Sequence, residues 1–419
     1  MHSKLNNKFF NLEVILFSIL YFSLLIGFLY NENSTGGAYL DYVNQKKISQ
    51  AFSENFFQSF LNYDSFTTRH SPVLIIFLSF FENLSLNDNI LRIFHLHLCL
   101  LLPLFFYLSL KIKYTEINNS ILLLVTGLIF LSPTFRSLSI WPDSRILGLT
   151  FFCISIYFFL RFSTEKKFIF AISNILFYAI ASYFSPNFSV FSVFFLYKYF
   201  SLINYKSFKF IIIIVVNIFL AIPAIYYVFV LDINFLNKSA AIGMGDKESI
   251  FFNNIFNQIL IIPTIIVFYI FPLIILKIIN ISKIIDIKNI VLSTILLLIS
   301  IYSFDYKYEY TGGGIFFKIS YYLFNNNVLF YCISLASLIL LFKLISKNFE
   351  NILLILVLFL SNPQITIYHK YYDPLILILI LLLFKIDIKL ELLKNLKKIF
   401  IIYIYFIFFL LLSLLKSYA

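Results

Sequence analysis

Charged side chains are scarce in this chain: 12% of its 419 residues are Asp, Glu, Lys or Arg, where a soluble domain carries about 25%. Hydrophobic residues make up 61%, which excludes a soluble globular protein. Cysteine is nearly absent. The three present, Cys99, Cys153 and Cys332, stand singly inside apolar runs, so no disulfide framework or thiolate metal site is implied and each is expected to act as a small buried hydrophobe. Glycine and proline number ten apiece and no internal repeat is visible, which tells against the matched broken helices of many transporters. The abundance of Phe, Ile, Asn and Lys points to an AT-rich bacterial genome.

What the sequence has instead is long apolar blocks, such as residues 121–132, 211–230 and 401–415. A hydrocarbon core about 30 Å thick needs about 20 helical residues per crossing. On that spacing, spans fall near 12–30, 92–110, 121–140, 145–161, 168–184, 188–203, 210–231, 253–276, 289–304, 326–342, 350–361, 374–386 and 398–415. The expected fold is all-α, a polytopic transmembrane helix bundle of about thirteen spans. A single integral-membrane domain fills residues 1–419, with a long outer loop at 31–91, the remaining amino-terminal helices at 92–231, and the carboxy-terminal helices and outer loops at 232–419. Within the long loop, residues 41–61 set a polar face (Asn44, Lys47, Gln50, Glu54, Gln58) against an apolar one (Val43, Ile48, Phe52, Phe56, Phe60). Residues 72–84 are apolar but too short to cross. Both segments read as helices lying in the membrane interface.

Lys4 and Lys8 precede the first apolar run as in a signal peptide. The run is long enough to span and no small-x-small cleavage site follows, so it reads as a retained first helix with a cytoplasmic amino terminus. From that start, the loops expected inside hold 20 of the 32 basic residues and 7 of the 20 acidic ones. This is the positive-inside pattern. It accounts for the net charge of +12 without a nucleic-acid partner, since no basic stripe or nucleic-acid motif accompanies it; membrane lipid headgroups are the expected contact. Acids and the remaining bases mix in the outer loops, so an outward-facing cavity is the place to look for chemistry.

Several outer groups have both a structural and a chemical reading. Asp41 opens the first interfacial helix, where an acid favours the helix dipole, and a carboxylate there can equally take a proton from an attacking hydroxyl. Ser71 and Pro72 suit a helix start; the neighbouring Arg69 and His70 are not needed for capping and suit a phosphate. Asp143, in the turn Trp141-Pro142-Asp143-Ser144, is a turn or cap residue, a salt-bridge partner of Arg136 or Arg145, or a second carboxylate that with Asp41 binds Mg or Mn through oxygen. His95 and His97 are two apart and face different sides of a helix, unlike paired zinc ligands. Gly312-Gly313-Gly314 lacks the strand and the Gly-Lys-Ser of a nucleotide loop and reads as a flexible turn. Tyr368 to Asp373 reads as an aromatic belt with a snorkelling lysine, or as a cluster in which Tyr368, His369 and Lys370 bind a lipid-linked phosphate or a sugar ring.

Taken together, one span, Asp41 early in a long outer loop, His70-Ser71-Pro72 opening a short apolar helix, Asn87 to Arg92 before a long span, and Leu131-Ser132-Pro133 with Asp143 at the next outer turn resemble the GT-C superfamily of membrane glycosyltransferases. The likeness is to its bacterial dolichyl-phosphate-mannose-transferase-like and lipopolysaccharide-sugar-transferase-like branches and covers about the first 200 residues. The first acid stands without a second beside it. The resemblance implies inverting transfer of a sugar from a polyprenyl-phosphate donor to a lipid, glycan or protein acceptor at the outer face of the bacterial inner membrane. It implies Asp41 as the base, Asp143 assisting or holding a cation, and Arg69, His70 and Lys370 on the donor phosphate. Two other classes remain open. One is a polysaccharide polymerase acting on lipid-linked repeats, although such enzymes carry their large polar loop late in the chain; the other is a transporter or flippase of lipid-linked sugars.

Overall fold

Inside a bilayer a backbone must satisfy its own hydrogen bonds, and among the described residues this chain does so with helices, apart from an isolated bridge between Ile279 and Ile388. The computed structural model describes residues 12–68, 70–204, 206–233, 251–279, 286–310, 312–345, 348–362, 364 and 366–418. The amino-terminal half contains α1 (Leu12–Leu29), α2 (Ala38–Glu54), α3 (Phe56–Leu61), α4 (Pro72–Asn83), α5 (Asp88–Cys99), α6 (Leu101–Lys113), α7 (Asn119–Gly127), α8 (Pro133–Ile140), α9 (Ser144–Glu165), α10 (Phe168–Phe184), α11 (Ser192–Leu202) and α12 (Phe208–Ile225). The other half adds α13 (Phe251–Ile275), α14 (Ile287–Tyr302), α15 (Gly314–Phe324), α16 (Val328–Ile345), α17 (Phe349–Leu360), α18 (Leu375–Leu382) and α19 (Leu396–Tyr418). The hairpin of α9 and α10, with α6 against α9, forms the centre of the first half; α13 packs on α14 and α16 in the second.

This is a helical membrane protein. Among the described residues six helices are long and apolar enough to cross a bilayer, or seven if the bent pair Asn119–Leu131 and Pro133–Ile140 counts as one. The other expected spans are shorter. Residues 188–203 divide into a 3-10 turn (Pro186–Phe191) and the eleven-residue α11; 350–361 forms the twelve-residue α17, and 374–386 the eight-residue α18. Every residue of α18 is buried, so its apolar run reflects surrounding protein and not lipid. The segment expected to cross at 121–140 bends by 66°. Pro133 disfavours a helical residue before it, and Ser132 is extended (φ −72°, ψ 118°), its hydroxyl accepting from Phe135 N at 2.9 Å to start α8 afresh. The first interfacial helix also breaks, at Asn55, whose side chain caps α3. Cys99 and Cys153 are buried as expected, whereas Cys332 is exposed.

Bases from the loops expected inside meet at one end. Lys198 and Lys385 pair with Glu350 at 2.9 and 2.7 Å, Lys113 Nζ donates to the Leu382 and Phe384 carbonyls, and Lys398 Nζ to that of Leu276. The loops expected outside converge around a separate cavity.

Candidate active site

Four stretches distant in sequence line one cavity of about 600 Å³, its open mouth included. The first loop contributes Asp41 and His70, the start of α9 Ser144 and Arg145, the turn after α10 Ser185 and Asn187, and the segment between α17 and α18 Tyr368, Lys370 and Tyr371.

Local structure sets each group. Asp41 lies in the first turn of α2, where unpaired N–H groups favour an acid. Tyr42 OH and Lys46 Nζ both donate to Asp88, Lys46 at 2.7 Å, which ties α2 to the start of α5. Ser71 caps α4 with Pro72 at its first position, and its hydroxyl donates to the Tyr183 carbonyl, joining the first loop to the end of α10. His70 Nδ1 then lies 3.3 Å from Ser144 Oγ. Asp143 caps α9, its Oδ1 accepting from Arg145 N at 2.7 Å. The Arg145 guanidinium lies over the Tyr371 ring, 4.3 Å from its centroid, and the Tyr371 hydroxyl donates to Gln364 Oε1 at 2.7 Å.

The late loop is fastened at several points. Asp373 Oδ2 accepts from Ser132 Oγ at 2.6 Å and Thr134 N at 3.0 Å, so the loop caps the bent helix. Asn254 Nδ2 donates to the Gln364 carbonyl at 2.6 Å. The glycine run supplies another anchor: Gly312, Gly313 and Gly314 all have φ between +77° and +93°, and Gly313 N donates to the Ile367 carbonyl at 2.9 Å. A Cβ on Gly312 would sit 2.6 Å from that carbonyl oxygen. The run is a close backbone approach that needs glycine, not only a flexible turn. From this fixed loop Lys370 Nζ reaches Asp41 Oδ2 at 3.0 Å.

Burial alone would raise the Asp41 carboxyl, but Lys370, with Arg145 nearby, holds it below the ordinary carboxylate value. Burial pushes the His70 imidazole down; Asp143 and Asp41 oppose this and Arg145 and Lys370 add to it. His70 is therefore neutral near pH 7, a hydrogen-bonding group and not a charge.

Asp41, His70, Tyr368 and Lys370, all expected at the site, do line the cavity together. Asp143 does not: it is 1% exposed and caps α9, its Oδ2 unpartnered. Arg136, expected beside it, instead pairs with Glu32. His369 is turned away, its Nε2 2.9 Å from Tyr269 OH and its ring between Phe268 and Phe409. Arg69 lies outside the described residues. His95 and His97 serve different faces, His95 bonding the Ser139 carbonyl and His97 the Ile93 carbonyl.

Asp41 and Asp143 do not make a seat for Mg or Mn. Lys370 already holds one Asp41 oxygen, Asp143 faces its own helix start, and among the described residues no three His, Cys, Asp or Glu side chains converge. Asn187 and Ser185 were not singled out from the sequence because Ser185-Pro186-Asn187 carries no charge; two polar residues around a proline, between two apolar runs, were the available signal. No family model, curated protein or solved structure matches the chain.

Proposed function

We propose that this protein is a membrane glycosyltransferase of GT-C type, moving a sugar from a polyprenyl-phosphate donor to a lipid, glycan or protein acceptor at the outer face of a bacterial inner membrane. The observation that supports this is the meeting of one carboxylate (Asp41) with two cations (Lys370 and Arg145) and a neutral imidazole (His70) in one cavity lined by segments expected on the outer side. In this reading about thirteen crossings are reached with the shorter apolar helices, those enclosed by protein, such as α18, needing no full-length apolar surface.

The chemistry follows from the groups. Asp41 Oδ1, the oxygen not held by Lys370, takes the proton of an acceptor hydroxyl as its oxygen attacks the anomeric carbon. The bond from that carbon to the phosphate oxygen breaks, its electron pair leaves with the phosphate, and the configuration inverts. The growing negative charge on the phosphate is met by Arg145 and Lys370, so no acid is needed for departure. Asp143 is a positioning residue, fixing the helix start that carries Arg145.

The test is transfer of labelled sugar from a polyprenyl-phosphate donor by the purified chain in proteoliposomes. Single-sugar transfer to an acceptor supports the proposal. Chains of repeating units point to the polymerase, and accelerated flipping without transfer points to the transporter.

A further inference from the structure

The charges and the amides of this cavity are unevenly shared out, and that unevenness bears on its ligand. Lys370 is occupied by Asp41 at 3.0 Å. Arg145 is not occupied: its guanidinium is held flat on Tyr371, and its Nη1 is buried with no hydrogen-bond partner. A buried N–H of this kind is costly unless a ligand brings an acceptor, and a guanidinium suits a phosphate better than any neutral group.

The turn after α10 is uncharged. Asn187 Nδ2 donates to Asn362 Oδ1, while the Asn362 amide nitrogen donates to Ser361 Oγ at 3.1 Å and its backbone carbonyl accepts from Gln258 Nε2 at 2.9 Å. This chain of bonds fixes which way the Asn187 amide points and leaves its Oδ1 to accept from a hydroxyl. The one carboxylate in the lining is Asp41, tied to Lys370 through Oδ2, while Asp143 is buried and caps α9.

We infer that the cavity takes a phosphate ester of an uncharged, hydroxyl-bearing sugar, the anion toward Arg145 and the ring toward Asn187, and selects against sugars that carry an amine. The inference rests on reading this cavity as the donor site. A hydroxyl finds an acceptor in Asn187, and a site built on such bonds discriminates strongly among ring substituents. An ammonium would enter a space whose lining holds two cations, Lys370 and Arg145, against one carboxylate, Asp41, and like charges brought together are disfavoured.

The experiment is calorimetric binding to the full chain in nanodiscs. The probes are citronellyl phosphate, citronellyl-phosphate-linked glucose, and the same glucose probe bearing a 6-amino group. The glucose probe should bind at least tenfold more tightly than the amino probe. Arg145→Met should weaken all three by tenfold or more with the melting temperature retained. Asn187→Ala should weaken only the two sugar-bearing probes, and Asn187→Asp should shrink the preference against the amine. Inorganic phosphate at the same concentration should not displace the glucose probe. Equal or tighter binding of the amino probe overturns the inference, as does a folded protein that binds none of the three. Because these are binding measurements, the expected preference in a protein that transfers nothing supports the subsite and tells against the transferase.

Discussion

Replacing Arg136 by Met tests the packing that holds the outer end of α1 against the bent helix α8. Arg136 Nε donates to Glu32 Oε1 at 2.8 Å, Nη1 to Ser23 Oγ at 2.9 Å and Nη2 to the Ser23 carbonyl at 2.9 Å, and the two charged side chains are only 6% and 5% exposed. The Glu32 backbone carbonyl also accepts from Trp141 Nε1 at 3.0 Å, so the pair braces the turn that precedes Asp143. Removing one partner strands a buried carboxylate, which costs about 3–5 kcal/mol, whereas exchanging both for apolar residues of similar volume is often neutral. Total stabilities of about 5–15 kcal/mol make the single change severe. Equilibrium unfolding in mixed detergent and SDS micelles should show Arg136→Met destabilised by that amount, and Arg136→Met with Glu32→Leu restored to within about 1 kcal/mol of wild type. A single variant as stable as wild type would refute the reasoning, because Glu32 would then have water or another partner.

Gly312→Ala should cost about 1–3 kcal/mol, since φ is +93° and the new Cβ meets the Ile367 carbonyl; unfolding measurements check the cost, and weakened donor binding should accompany it as the Lys370 loop shifts. Burial pushes His369 down to about 4, with Asp373 opposing. Below its ordinary value of about 6.5 the unfolded chain binds a proton that the folded one refuses, so this contribution is complete above pH 6.5 and lost as pH falls toward 4, about 3 kcal/mol in all. Comparing stability against pH for wild type and His369→Gln isolates it, and identical slopes would contradict the burial. Lys370→Met leaves burial to raise the Asp41 carboxyl, so the acid limb of the kcat/KM profile should move to higher pH. An unmoved limb would mean that Asp41 is not the group being titrated.

Much of the helical architecture is legible in the chain because apolar runs and their interruptions are local signals. Residues 168–184, expected as a helix, form Phe168–Phe184. What an apolar run faces is not legible, as in Leu375–Leu382, where every residue is buried, since hydropathy alone does not separate a lipid-facing helix from a core one. The break at Ser132-Pro133 was visible as a dipeptide but lost within a continuous apolar stretch. At the cavity, charged loop residues could be nominated one by one. Their partners could not, because Lys370 and Asp41 are 329 positions apart and only packing brings them together. Asp143 and His369 look as chemical in sequence as Asp41 does. A helix cap and an aromatic pocket take them instead.

The most direct test of the account is Asp41→Asn in reconstituted vesicles, with donor binding and sugar transfer measured on the same preparation. The account predicts retained donor binding with transfer reduced by about 10²–10⁴-fold, the contribution of a positioned base. Full transfer by the variant would contradict it.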